Sequence, residues 1–249
     1  IRYARRIQSA VIPSEKVCRD LFPECFVVFK PLNIVSGDFY WISRVDSKII
    51  FAAADCTGHG VPGAFMSMLG VAFLNEIVNK DNITIPDLIL NQLREKVIHA
   101  LQQQGISGEA RDGMDIAIVS IDKEKNKLEY AGAYNPLIMI RNGEVIETRG
   151  DKMPIGIYEN MNDFRKHEII IEKGDIFYMF SDGYEDQFGG TEGRKFKSKR
   201  LKQLLLEIHN YPMEVQKEIL EKNFEEWKGD LQQVDDVVVV GLAITGGSI

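Results

Sequence analysis

Four aspartates carry the chemical promise of this chain: Asp38 in Ser36-Gly-Asp38, Asp55 in Asp55-Cys-Thr-Gly-His-Gly60, Asp182 in Ser181-Asp-Gly183, and Asp235 in the pair Asp235-Asp236. Each stands at the start or end of an apolar, strand-like run; Asp38 and Asp182 have a glycine beside them, and Asp55 precedes a glycine-rich turn. Carboxylates gathered at strand ends, with no histidine or cysteine cluster among them, are the donor set of a hard divalent cation. The expectation is a rim of aspartates holding Mg²⁺ or Mn²⁺ above a β-rich core. Asp115, in Asp112-Gly-Met-Asp115, starts another strand and is a possible additional, weaker ligand, although a strand-start aspartate satisfied by the backbone is the plainer reading. A single Asp-Gly pair is ordinarily just a turn. The ordered set of four is what reverses that reading.

The elements that must position these residues follow from the apolar patterning. Strands are expected at 26–30, 38–45, 49–54, 114–121, 127–134, 137–140, 144–147, 167–171, 175–181 and 236–244. Asp46-Ser47 and Asn142-Gly143 are tight hairpin signals, the second the stronger. Residues 64–78 are apolar nearly all round, as in a buried helix, and Pro86 opens a second helix whose Ile89, Leu93, Val97 and Leu101 recur every fourth residue. Further helices are expected at 200–208 and 212–227, after a polar, glycine-rich loop at 184–198. Antiparallel strands interrupted by helix pairs indicate an α+β layered domain rather than a doubly wound one.

Residues 2–12 read as a helix that ends at Pro13. Ile1, Ala4, Gln8 and Val11 have heptad-like spacing, so this lead-in is either the tail of a coiled coil or a helix packed on its own domain. The chain opens on Ile1, and it is expected to be a fragment of a longer protein, with 1–12 as a linker or signalling helix and 13–249 as one catalytic domain. A net charge of −7 disfavours nucleic acid as a partner. The basic run Arg194-Lys-Phe-Lys-Ser-Lys-Arg200 reads as a solvated loop. Cys18, Cys25 and Cys56 read as free thiols of a reducing cytoplasm, and no apolar run reaches the roughly 20 residues of a membrane span.

The motifs Ser36-Gly-Asp-Phe-Tyr40, Ala54-Asp-Cys-Thr-Gly-His-Gly60, Ser181-Asp-Gly183 and Asp235-Asp236, in this order, resemble the SpoIIE/RsbU branch of the PPM family of metal-dependent serine/threonine protein phosphatases. Ala4-Arg-Arg-Ile-Gln8, Ile12-Pro13 and Tyr130-Ala-Gly-Ala-Tyr-Asn-Pro136 extend the likeness over nearly the whole chain. The resemblance implies a four-layer αββα sandwich and two Mn²⁺ or Mg²⁺ ions per site. It implies that Asp55 bridges them, that the backbone carbonyl of Cys56 is a further ligand, that Asp38 serves one, and that Asp182 and Asp235 serve the other. Asp236 could replace Asp235. His59 matches a position where a histidine protonates the leaving oxygen or orders water, and the two roles stand even. The family's phosphate-binding arginine has no counterpart near the first motif, and Asp-Asp-Val-Val stands where a threonine is common; neither change removes a carboxylate.

The resemblance further implies a phosphorylated partner protein, typically a STAS-domain anti-sigma-factor antagonist, in bacterial sigma factor regulation. It implies an upstream sensor, a homodimer formed through the N-terminal helix, and a cytoplasmic domain whose full-length chain is membrane-anchored in some arrangements. The competing reading is a catalytically inactive PPM-like interaction module. Four carboxylates that repel one another without a metal speak against it.

Overall fold

The computed structural model describes residues 2–106 and 111–246. In chain order its elements are α1 (Arg2–Val11), α2 (Glu15–Leu21), β1 (Cys25–Lys30), β2 (Phe39–Val45), β3 (Lys48–Cys56), α3 (Gly60–Leu74), α4 (Pro86–Ala100), β4 (Met114–Asp122), β5 (Lys127–Ala133), β6 (Leu137–Arg141), β7 (Glu144–Thr148), β8 (His167–Ile170), β9 (Ile176–Phe180), α5 (Gly183–Asp186), β10 (Phe188–Gly189), β11 (Arg194–Lys195), α6 (Ser198–Ile208), α7 (Met213–Lys228) and β12 (Val237–Ala243). Two five-stranded antiparallel sheets, β1-β12-β9-β6-β7 and β2-β3-β4-β5-β8, form the middle layers. Helices α3 and α4 cover the second sheet, and α6 and α7 cover the first. The αββα sandwich is therefore the observed architecture.

The alternation of side chains along a strand explains why the central strands are apolar on both faces. On β12, Val238, Val240 and Leu242 enter the core between the sheets, whereas Val237 and Val239 pack beneath α6 and α7. On β9, Phe177 and Met179 face the first core and Ile176, Tyr178 and Phe180 the second. The Asn142-Gly143 hairpin forms as expected, with both residues at positive φ, 52° and 74°.

Three local expectations need correction. Residues 13–25 are not a plain loop: Ser14 caps α2, its Oγ accepting from the Val17 N–H at 3.4 Å. The helix has only seven residues, with Cys18 its one buried side chain, so it carries almost no periodicity. The stretch 184–198 holds the short helix α5 and the β10–β11 ribbon. The buried helix starts at Gly60, earlier than its apolar run, and passes into a π-helical turn over Asn75–Lys80. From Gly60 to Lys80 it is 21 residues, long and apolar enough to cross a membrane by length and composition, yet half of it is buried in the domain. Its Met66, Val71 and Leu74 belong to the main core.

Helix α1 packs on its own domain through one side chain. Gln8 donates from Nε2 to the Ser36 carbonyl at 2.6 Å and to Ser67 Oγ at 2.9 Å, and its Oε1 accepts from the Ser36 N–H at 3.0 Å. It is the buried residue of the helix, whereas Tyr3, Ile7 and Val11, four apart, are exposed. Ile1 lies outside the described residues. Replacing Gln8 with leucine removes the three bonds while keeping bulk, and we expect hydrogen exchange over residues 2–11 to accelerate while the strands stay protected. Unchanged protection of α1 would show that Gln8 does not hold it.

Candidate active site

The acids of interest meet at one pole of the sandwich because of strand direction. Asp38 immediately precedes β2, Asp55 is the penultimate residue of β3, and Asp115 lies opposite Asp55 in the β3–β4 register. Asp182 leaves β9 two residues after Phe180, and Asp235 enters β12 two residues before Val237; these strands are neighbours in the first sheet. Adjacent strand ends from both sheets thus deliver carboxylates to one cleft.

Two close backbone approaches make this convergence possible. A Cβ on Gly63 would fall 2.1 Å from the Gly58 carbonyl oxygen and 2.8 Å from the Gly37 Cα, so the turn after Asp55 and the loop before Asp38 touch through bare backbone. A Cβ on Gly183 would fall 1.9 Å from the Asp236 carbonyl oxygen, which sets Asp182 against the Asp235 segment. The Cys56 carbonyl faces this junction, 3.4 Å from where a Gly37 Cβ would lie. On the far side, the Gly113 N–H donates to Thr57 Oγ1 at 3.1 Å and holds the start of β4.

Asp235 and Asp236 differ in their partners. Asp236 is 2% exposed, and both carboxylate oxygens accept backbone N–H groups, from Leu32 at 2.7 Å and from Gly37 at 2.7 Å. It is fully occupied as a clamp on residues 31–37. Asp235 is half-buried, and its Oδ1 accepts from the Asp236 N–H at 2.8 Å, leaving its other oxygen for the cleft.

The electrostatics of the cluster are those of acids held too close together. Burial, then Asp236, Asp235 and Asp182, push the Asp38 carboxyl well above its ordinary range, against a hydrogen bond from Ser181. Its Oδ2 is buried with no hydrogen-bond partner. Asp55 is raised by burial and then by Asp38 and Asp182, and it is in hydrogen-bond contact with Asp182. Burial also raises Asp182 and Asp235. Asp115 is pushed up to about 7 by burial and by Asp182.

Among the described residues, no three acidic, histidine or cysteine side chains are drawn into a closed coordination shell. What they form is an open set of hard oxygen donors with an orphaned buried oxygen and mutual repulsion, which a divalent cation would relieve. The residues therefore fit Mg²⁺ or Mn²⁺. His59 caps α3 at the exposed rim, near enough to Asp235 for its charge to bear on that carboxyl. Its Nδ1 lies 3.0 Å from Asn33 Nδ2. Asn33 was not legible as a site residue, since it is a lone polar side chain outside any spaced motif, and Thr57 and Ser181 lie within the quoted motifs but were given no role.

The model of the family described as Stage II sporulation protein E (SpoIIE) matches residues 46–245. The chain belongs to the SpoIIE family. Members of this family are metal-dependent serine/threonine protein phosphatases of the PPM class, and this fold is theirs. Among solved structures, the chain is similar to the SiaA-PP2C domain of Pseudomonas aeruginosa, with 30% identity, a TM-score of 0.87, and 98% of this chain and 95% of that chain covered. The PP2C phosphatase domain of SpoIIE from Bacillus subtilis, solved with a fragment of its regulatory domain, shares the fold at 18% identity and a TM-score of 0.73, covering 91% of this chain and 64% of that one. The RsbU and RsbW domains of a Mycobacterium tuberculosis protein do so at 14% identity and a TM-score of 0.70, covering 90% and 61%. No protein of curated function is matched by the sequence.

Two predictions follow from the partners of these acids. Asp236→Ala leaves two backbone N–H groups without acceptors and should cost about 2–4 kcal/mol in urea unfolding with EDTA present, whereas Asp235→Asn should cost less than about 1 kcal/mol. Equal losses would contradict the division of labour. An aspartate held above its ordinary value of 3.8 binds its proton more tightly in the folded chain than in the unfolded one. The metal-free domain should therefore lose stability as pH rises from about 4 through 7, with Asp115 and Asp55 both contributing. Asp55→Asn should flatten that slope.

Proposed function

We propose that this domain hydrolyses phosphoserine or phosphothreonine on a regulatory partner protein, as the output of a bacterial signalling protein in the cytoplasm. The observation that carries this reading is the convergence of Asp38, Asp55, Asp182 and Asp235 at one pole, where burial raises the proton affinity of all four. In this reading Asp38, Asp55, the Cys56 carbonyl, Asp182 and Asp235 would hold the metal, with Asp115 as an additional ligand. When bound, Mn²⁺ or Mg²⁺ supplies an acidified water and neutralises the phosphate oxygens.

The chain's own groups do the rest. The Asp236 clamp and the Gly37–Gly63 contact hold Asp38 and Asp55 in place, so that little reorganisation is needed at the moment of reaction. Serine's oxygen leaves as a strongly basic alkoxide unless it is protonated. In this reading His59, at the start of α3, gives it that proton. Exposed Ile34, Val61 and Phe65 flank Asn33 and His59 in the chain, an apolar rim suited to a protein surface rather than to a free phosphoester.

The partner in this reading is a STAS-type anti-sigma-factor antagonist. That specificity is supported by family membership, not by any feature of the cleft itself. Input arrives from an upstream sensor through α1. Gln8 is bonded to Ser36, two residues before Asp38, and to Ser67 on α3, the helix that follows Asp55. The exposed Tyr3, Ile7 and Val11 would form the seam of a homodimer.

The test is p-nitrophenyl phosphate and phosphoserine-peptide hydrolysis with Mn²⁺, beside EDTA and the variants Asp55→Asn and Asp182→Asn. Activity should require the metal and fall by more than about 100-fold in each variant. If the variants turn over as the parent does, the acid cluster is not the catalytic centre. Mn²⁺ binding by calorimetry without turnover would identify a domain awaiting its activating signal.

A further inference from the structure

The Asn33–His59 contact joins two exposed loops, 26 residues apart in sequence, at the edge of the acid cleft. His59 stands at the N-terminus of α3, between Gly58 and Gly60, whose φ angles are +81° and +65°. Nothing in such a glycine turn fixes an imidazole ring by packing. No other hydrogen bond to the His59 ring is found among the described residues. Asn33 is held more firmly: its neighbour Leu32 donates its N–H to Asp236 at 2.7 Å, so the loop carrying it is tied to the same clamp that steadies Asp38.

We infer that Asn33 is a positioning residue for His59, its side-chain amide holding Nδ1 so that Nε2 is the nitrogen turned toward the leaving group. The inference rests on the phosphatase reading above and adds a residue that no family motif assigned. The amide can donate an N–H to Nδ1 or, turned over, accept from Nδ1–H, so the contact suits either tautomer of the ring. When the ring gains a second proton, a half-turn of the amide presents its oxygen to Nδ1–H. The amide can thus hold the ring in both protonation states without a charge of its own. A carboxylate in its place could only accept and would favour the charged ring.

In the step this supports, the bond from phosphorus to the serine oxygen breaks with its electron pair left on oxygen. The Nε2 proton of the imidazolium moves to that oxygen, and the ring is left neutral. A substrate whose leaving group is already a stable anion has little need of that proton. The contribution of Asn33 must therefore depend on the leaving group, which a purely structural role would not.

The experiment compares a phosphoserine peptide with p-nitrophenyl phosphate under saturating Mn²⁺. His59→Gln should lower kcat for the peptide by about 100-fold and Asn33→Ala by about 10-fold or more, each with a clearly smaller loss on the aryl ester. Adding Asn33→Ala to His59→Gln should cost nothing further, since the two act as a unit. Equal losses on both substrates, or an effect confined to KM, would overturn the inference and make Asn33 a structural or phosphate-contacting residue.

A second readout does not depend on turnover. In ¹⁵N-resolved imidazole spectra of the metal-free domain, assigned with His59→Gln, Asn33→Ala should shift the Nδ1 resonance of His59, and Asn33→Asp should draw the ring proton to Nδ1. An unchanged ring in Asn33→Asp would also overturn the inference. If the parent domain hydrolysed neither substrate, the phosphatase reading would fall on its own account, and the spectra would still decide the contact.

Discussion

Repulsion among buried like charges is the constraint on which the rest of this structure depends. Burial raises the proton affinity of Asp38, Asp55 and Asp182, Asp182 raises that of Asp38 and Asp55 further, and Asp38 adds to that of Asp55. A chain left to relax would spread such groups apart or turn them to water. Here the backbone prevents it. Three strand ends, a knot of glycines and the Asp236 clamp fix where the acids stand, so the scaffold stores an electrostatic cost that the right ligand removes. The arrangement fits a protein whose metal-loaded form is the one that matters, since whatever binds the acids also stabilises the fold by mass action.

The two cores divide the work of meeting that cost. The larger lies between the sheets and beneath α3 and α4, with Phe51, Ile118, Phe177 and Val240 among its members. The smaller, under α6 and α7, is organised by Tyr178, Tyr184 and Phe224, and Tyr178 donates to the buried Gln216 at 2.6 Å. β9 and β12 contribute to both, and these strands also deliver Asp182 and Asp235. A site built at the ends of doubly buried strands inherits their rigidity.

Much of this was legible beforehand, for physical reasons. Strands buried on both faces are apolar runs with sharp ends, so the positions of Asp55 and Asp182 at those ends could be read directly. Asn142-Gly143 announced its own hairpin through the backbone angles it demands. Short elements were another matter: α2 and the β10–β11 ribbon have too few residues for a period to show. The contact of Asn33 with His59 and the different partners of Asp235 and Asp236 were hidden because both depend on what lies across the fold. Asp236 is committed to backbone N–H groups about two hundred positions away, and nothing local distinguishes it from its neighbour.

That separation has a consequence for how the protein comes into being. Asp236 bonds Leu32 and Gly37 across 204 and 199 positions, and β1 pairs with no strand except β12. During synthesis, β1 and the loop that presents Asp38 must wait until β12, about two hundred residues on, has left the ribosome before they acquire these partners. The second sheet, β2-β3-β4-β5-β8, is complete once residue 170 has emerged, and it can assemble first. The cleft is closed only when β12 docks, so a nascent chain lacks the finished acid centre until then.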